Sequence, residues 1–114
     1  MSDCLFCKIV AGEIPAKVVA ESDTSLAFYD IAPEAPVHVL VIPKRHFDGV
    51  NDVAATDLGV FDELIGLARE VATAEGVRDS GYRLVFNVGD EGGQTVPHLH
   101  VHVLGGRQMR WPSG

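Results

Sequence analysis

The chain has 114 residues, and several features that would narrow its class at a glance are scarce or absent. Cysteine is nearly missing. The only two, Cys4 and Cys7, lie too close in sequence to staple a fold, so a disulfide framework is excluded. No apolar run approaches the roughly 18–20 residues needed to span a bilayer, which removes a membrane partner of that kind. Positive charge is short as well: 9 Lys and Arg face 16 Asp and Glu, a formal charge of −7. Such a surface repels a phosphate backbone and disfavours DNA or RNA as a partner, while leaving room for a small phosphate ligand in a local pocket. The start, Met1-Ser2-Asp3-Cys4, has no cationic segment followed by an apolar stretch, so the expected location is the cytoplasm, where thiols stay reduced. Repeats, linkers and low-complexity tracts are lacking too, and residues 1–114 read as one domain.

What remains is ordinary globular material, 46% hydrophobic and 22% charged. A chain of this size hides roughly two thirds of its unfolded surface, enough for a core without staples. Ser2 or Asp3 can cap a short helix through Val10, with Gly12 closing it and Phe6, Ile9 and Val10 as its apolar face. Lys17 to Glu21 and Ser25 to Asp30 are β-prone runs joined by a Ser22-Asp23-Thr24 turn. Val37 to Ile42 is fenced by Pro36 and Pro43. The one long helical period runs from about Asp57 to Glu75, with Thr56 as candidate N-cap and Gly76 as candidate C′ residue. Tyr82 to Val88 and His98 to Leu104 alternate as two further strands. The expected class is α+β: a five-stranded antiparallel sheet with one long helix covering a face and a short N-terminal helix.

The sharpest pattern is His98-Leu99-His100-Val101-His102-Val103-Leu104. In a strand, side chains alternate, so the three histidines line one side while Leu99, Val101 and Val103 enter the core. A solvated strand face is the bland reading; metal ligation and nucleophilic catalysis at phosphorus are the chemical ones. Three alternate residues on a straight strand are too spread to bind one tetrahedral ion, so a division of labour among them is expected. Just before them, Gly89-Asp90-Glu91-Gly92-Gly93-Gln94-Thr95-Val96-Pro97 is either a hairpin or a nest of N–H groups for phosphate oxygens, with Gln94 and Thr95 as added donors. Cys4-x-x-Cys7 offers a zinc half-site or a pair of buried thiols. A redox motif fits less well, since no βα unit precedes it. His46 and His98 are the natural completing ligands. His38, alternating with Leu40 and Ile42, is either a satisfied core residue or part of a site.

Taken together these residues resemble the histidine triad (HIT) superfamily, in its Hint-type branch. His98 to Leu104 meets the His-φ-His-φ-His-φ-φ signature in full, φ being apolar. Glu13-Ile14-Pro15-Ala16-Lys17, Phe28-Tyr29-Asp30-Ile31, Pro36 to Lys44, Gly92-Gly93-Gln94 and the ending Leu104 to Pro112 are similar to that branch as well. The resemblance implies a nucleotide-binding hydrolase, usually a homodimer whose two sheets join into one, cleaving purine nucleoside 5′-phosphoramidates or related adducts at the α-phosphorus. It implies His100 as nucleophile, with His98, His102 and His38 beside it. Asp30 and Ile31 fall at ribose positions, and Asn87, Gly93, Gln94, Thr95 and His102 at phosphate-facing ones. Trp111 falls near the partner subunit's site. Some members carry a structural zinc, and Cys4, Cys7, His46 and His98 match its ligand set. Position 95 holds Thr where Ser is common, and Pro97 stands where an aromatic is often found.

For in-line attack His100 must present a bare nitrogen. A backbone carbonyl accepting its Nδ1–H would leave Nε2 for phosphorus, with His102 and loop N–H groups stabilising the charge that develops. No metal is required for that chemistry. Two rivals stand beside it: a non-catalytic nucleotide-binding scaffold, and a zinc hydrolase using metal-activated water on two or three triad histidines.

Overall fold

The computed structural model describes residues 3–114. A short helix α1 (Leu5–Val10) leads into strands β1 (Val18–Glu21), β2 (Ser25–Tyr29) and β3 (Val37–Pro43). Two 3₁₀ turns, Val50–Asp52 and Ala55–Asp57, precede the long helix α2 (Gly59–Ala74), and β4 (Tyr82–Val85) and β5 (Val101–Gly105) complete the chain. The sheet runs in the order β1-β2-β3-β5-β4, with every neighbouring pair antiparallel. The α+β expectation holds, long helix and short N-terminal helix included.

The period of two sorts the sheet into two faces. Ala27, Val39, Val41, Val101 and Val103 pack under Leu64, Leu67, Ala68 and Val71 of α2, forming the main core. Each fully buried aliphatic there contributes about 1.5–3 kcal/mol. Leu26, Phe28, Leu40 and Ile42 point the other way and meet Phe6 of α1 in a smaller cluster. Leu40 pairs with His102 and His38 with Leu104, so these histidines share the α1 face. No helix among the described residues is long and apolar enough to cross a membrane.

Several boundaries differ from the sequence reading. β4 ends at Val85 rather than Val88, and β5 begins at Val101 rather than His98. The reason is a competing bond: the Leu99 N–H donates to the Phe47 carbonyl at 2.7 Å, which takes this segment off the ladder. Thr56 is not the cap of α2; it lies inside a 3₁₀ turn, and Leu58 takes the cap position without a side-chain bond. The cap of α1 is Cys4, whose Sγ accepts the Cys7 N–H at 3.4 Å, rather than Asp3; Ser2 lies outside the described residues. Gly76 does close α2. At φ +76° it lets its own N–H reach the Thr73 carbonyl and the Val77 N–H reach Ala72.

Candidate active site

The three triad histidines face one way but do different work. His98 is fully buried. Its Nε2–H donates to the Pro43 carbonyl at 2.9 Å, leaving Nδ1 bare. That nitrogen lies 3.3 Å from Cys4 Sγ, 3.5 Å from Cys7 Sγ and 3.1 Å from His46 Nδ1. His46 repeats the arrangement: Nε2 donates to Asp48 Oδ1 at 2.7 Å, and Nδ1 lies 3.2 Å from Cys7 Sγ. A tetrahedral ion bound at usual zinc distances needs S···N edges of about 3.5 Å and an N···N edge of about 3.4 Å. The four atoms lie close to those edges, and both histidines carry an oriented acceptor on the far nitrogen, as ligating histidines do. Cys4, Cys7, His46 and His98 together could hold a metal ion. Burial holds His98 below the usual histidine range, against the opposing pull of the Pro43 carbonyl, and so keeps it neutral enough to ligate.

His100 is oriented by the backbone. Its Nδ1–H donates to the His98 carbonyl at 2.7 Å, so Nε2 is the bare nitrogen. The ring is only 6% exposed, yet it lines a cleft of about 720 Å³ and is sheltered rather than sealed. Its ring meets Phe6 edge-on at 5.3 Å and His102 at 5.0 Å between centroids.

His102 receives its tautomer through a chain of bonds. The Glu34 N–H donates to His38 Nδ1 at 3.0 Å, so neutral His38 carries its proton on Nε2. That Nε2 lies 2.8 Å from His102 Nδ1, which must accept, and His102 therefore carries its proton on Nε2. Asp30 Oδ2 lies 3.4 Å from the same His38 nitrogen, while its Oδ1 accepts the Ala32 N–H at 2.8 Å. Asp30, His38 and His102 lie close enough to suggest an ion, but the proton on His38 Nε2 makes them a hydrogen-bonded relay. Asn87 Nδ2 sits 3.4 Å from His102 Nε2. With Nε2 protonated, both groups are donors and neither satisfies the other, so an anionic oxygen bridging the two nitrogens can accept from both.

Burial, reinforced by the neighbouring His100 and His38, lowers His102 to about 4. Its NMR titration midpoint is expected near 4 rather than near 6.5. The sign follows: between these values the unfolded chain takes up a proton that the folded one refuses, so stability falls as pH drops from about 6.5 toward 4. A midpoint above 6 for this ring would contradict the relay.

The cleft runs from α1 to the triad. Leu5, Phe6, Ile9, Phe28 and Leu40 form an apolar wall; Asp30, Ile31, Thr95, His100 and His102 line the polar end. Of the sequence candidates, Asp30, Ile31 and Thr95 are thus brought to the cleft with two triad histidines. Asn87 joins through His102. Gly93 and Gln94 stand differently, since their N–H groups donate to Asp90 and Gly89 within the loop. The Gln94 carboxamide is likewise engaged, donating to the Asp48 and Val96 carbonyls and accepting from the Gly89 N–H. It pins the loop to the segment after β3. Trp111 is 85% exposed and lies on a tail tied to β4 by an Arg83 bond to the Arg110 carbonyl.

Sequence reasoning missed the apolar wall. Phe6 and Ile9 carried a signal, the helical spacing, but it reads equally as core. It also missed the strict need for glycine at position 92, where a Cβ would collide with the Val88 carbonyl oxygen and lie 2.8 Å from the Val88 nitrogen. Gly92→Ala is expected to open this loop at a cost of about 1–3 kcal/mol, measurable by urea unfolding. An unchanged midpoint would show that the loop yields freely.

The rings of His98, His100 and His102 do not converge on one point, and neither possible ion cluster among the described residues contains two of them. Water activated by an ion held on several triad histidines has no support in this geometry.

Known proteins can now be set beside this site. The HIT domain family matches residues 11–109. An uncharacterised HIT-like protein from Synechococcus elongatus is 47% identical over 112 residues, 98% of this chain and 97% of its own length. The crystal structure of a HIT family hydrolase from Legionella pneumophila superposes with a TM-score of 0.95 at 54% identity, covering 98% of this chain and all of that one. A histidine triad protein from Clostridium difficile gives 0.94 at 40% identity over 96% of both chains. With the signature intact and the likeness running end to end, the chain belongs to the HIT domain family.

Proposed function

We propose that this protein is a nucleotide-binding hydrolase that cleaves purine nucleoside 5′-phosphoramidates, or related adducts, at the α-phosphorus through a nucleotidyl-His100 intermediate. The observation that carries the proposal is the 2.7 Å bond from His100 Nδ1–H to the His98 carbonyl, inside a cleft with an apolar end and a polar end. The family membership supports it, and so does the neighbour named a HIT family hydrolase.

The purine stacks in the apolar end against Phe6 and Ile9, and the ribose hydroxyls meet Asp30 beside Ile31. His100 Nε2 attacks phosphorus in line, and the P–N bond to the amine breaks. Charge on the non-bridging oxygens is met by the His102 Nε2–H and the Asn87 amide, two donors whose nitrogens lie 3.4 Å apart. Preorganised donors of this kind are often worth several kcal/mol, because no reorganisation is needed as charge develops. The His102 and Thr95 protons are the two available to the departing amine. Water then releases the nucleotide and regenerates the imidazole. Splitting one difficult displacement into two is what the covalent step accomplishes.

Cys4, Cys7, His46 and His98 hold a structural zinc, whose soft S₂N₂ donor set suits that ion. When bound, it ties α1 to the sheet; no step of the reaction passes through it. The active form is a homodimer joined at the open β4 edge, a reading supported by the exposed Trp111 on a tail tied to that strand through Arg83. The protein works in the cytoplasm, and its substrate is a small molecule.

The test is turnover of an adenosine 5′-phosphoramidate followed by rapid quench and peptide mass analysis. AMP release with an adenylyl adduct on the peptide carrying His100 is expected. AMP binding without turnover would instead make the protein a scaffold.

A further inference from the structure

The mechanism above leaves Cys4 and Cys7 as anchors only, but their position gives them leverage over the cleft. Helix α1 has six residues, too short to be stable by itself. Its contacts with the sheet are sparse beside those of α2. Two things hold it: the apolar packing of Phe6, Ile9 and Val10 on the sheet, with Phe6 edge-on to Phe28 at 5.5 Å, and the thiol–imidazole cluster at its first turn. Between Cys4 and Cys7 lie Leu5 and Phe6, both of which line the cleft. Phe6 also touches His98 and His100 edge-on, at 5.8 and 5.3 Å. His98 belongs to both systems, since its ring faces the two sulfurs while its carbonyl holds His100. The cluster is reachable: both cysteines are partly exposed, and the Cys7–His46 contact lies at the surface.

We infer that Cys4 and Cys7 form an oxidative modification site. A peroxide-class oxidant converts the pair to a disulfide, expels the bound divalent ion and thereby loosens the α1 wall of the nucleotide cleft. The inference rests on the nucleotide reading of that cleft. The chemistry balances. Two thiolates give up two electrons to one peroxide O–O bond, two protons are taken up, and two waters leave as the S–S bond forms. The sulfurs already lie within 4.8 Å of each other, so closing to the bonding distance of about 2.05 Å is a local movement. A disulfide carries no thiolate charge, and the two imidazoles alone cannot retain the ion. With the ion gone, α1 keeps only the apolar packing of Phe6, Ile9 and Val10, and the His98 ring keeps its Pro43 bond and its Phe6 contact but loses its tie to the sulfurs. Leu5, Phe6 and Ile9 then no longer hold a continuous wall.

The experiment uses the reduced, zinc-loaded full chain, treated with hydrogen peroxide and followed by three readouts: zinc release with a colorimetric chelator, intact mass, and AMP affinity by calorimetry. One ion per chain is expected to leave as the mass falls by two hydrogens, with AMP binding about 10–100-fold weaker. Thiol reductant plus zinc should reverse all three. A Cys7→Ser chain, which cannot form this disulfide, should show no peroxide-induced loss of AMP affinity beyond its own starting value. Disulfide formation that leaves AMP affinity within about twofold overturns the inference, as does zinc retained under peroxide. A reduced chain that takes up no zinc overturns it while the nucleotide reading survives. A zinc-loaded chain that never binds AMP fails the nucleotide reading itself.

Discussion

His100→Ala is expected to lower kcat on an adenosine phosphoramidate by about ten-thousand-fold or more, while AMP binds within about threefold of the parent. The asymmetry is the content of the prediction. Removing the imidazole removes the atom that forms the new bond to phosphorus, and no other bare ring nitrogen in the cleft can replace it. His98 turns its bare nitrogen toward the sulfurs, and His102 presents a proton instead. Binding draws on other groups, chiefly the apolar wall and Asp30, which the substitution leaves in place. Alanine also leaves the His98 carbonyl without its donor, at a cost of about 1–3 kcal/mol in stability, so unfolding should be measured alongside. A kcat reduced by less than about tenfold would take the nucleophile's role from His100. A loss confined to AMP affinity would make it a binding residue.

Loading the reduced protein with the proposed zinc and then stripping it with a strong chelator is expected to lower Tm by about 10–20 °C, and adding zinc back should restore it. An ion bound at about a thousand times its Kd stabilises the folded state by about 4 kcal/mol, and each kcal/mol moves a domain of this size by several degrees. The sheet and α2 should survive, since Leu64, Val71, Val101 and Val103 pack without help from the cluster. Near-ultraviolet signals from Phe6 and Phe28 should change, because this aromatic pair joins α1 to the sheet. Calorimetry with and without the ion checks the first statement. A stripped chain melting within about 3 °C of the loaded one would mean that the four side chains hold α1 through hydrogen bonds among themselves.

The parts of this fold that were legible beforehand share one property: a local repeat writes them. Alternation along Tyr82 to Val88 and His98 to Leu104, and a β-rich run between Pro36 and Pro43, marked the sheet, while three- and four-residue spacing from Leu58 to Ala72 marked α2. Gly76 announced the end of that helix through a backbone angle few other residues tolerate. The boundaries were less legible where a distant group competes for a backbone N–H. Leu99 bonds to Phe47 instead of extending β5, and no spacing rule contains that partner. Capping failed for a related reason. Cys4 accepts the first-turn N–H of α1 because its sulfur is already held there by His98.

The same division runs through the site. Residue order carried the family signature and the sheet with its histidine-bearing strand, because periodicity and motif are properties of order; the set Cys4, Cys7, His46 and His98 followed from the resemblance that the signature announces. Which nitrogen of each histidine is bare depended on folding. That choice depends on acceptors and donors elsewhere in the chain: the Pro43 carbonyl for His98, the adjacent backbone for His100, and His38 for His102. Folding also decided that Gln94 ties down its loop and that α1 walls the cleft. A proton's position is set by the partner across the bond, and folding brings partners as far apart as Cys4 and His98 within 3.3 Å.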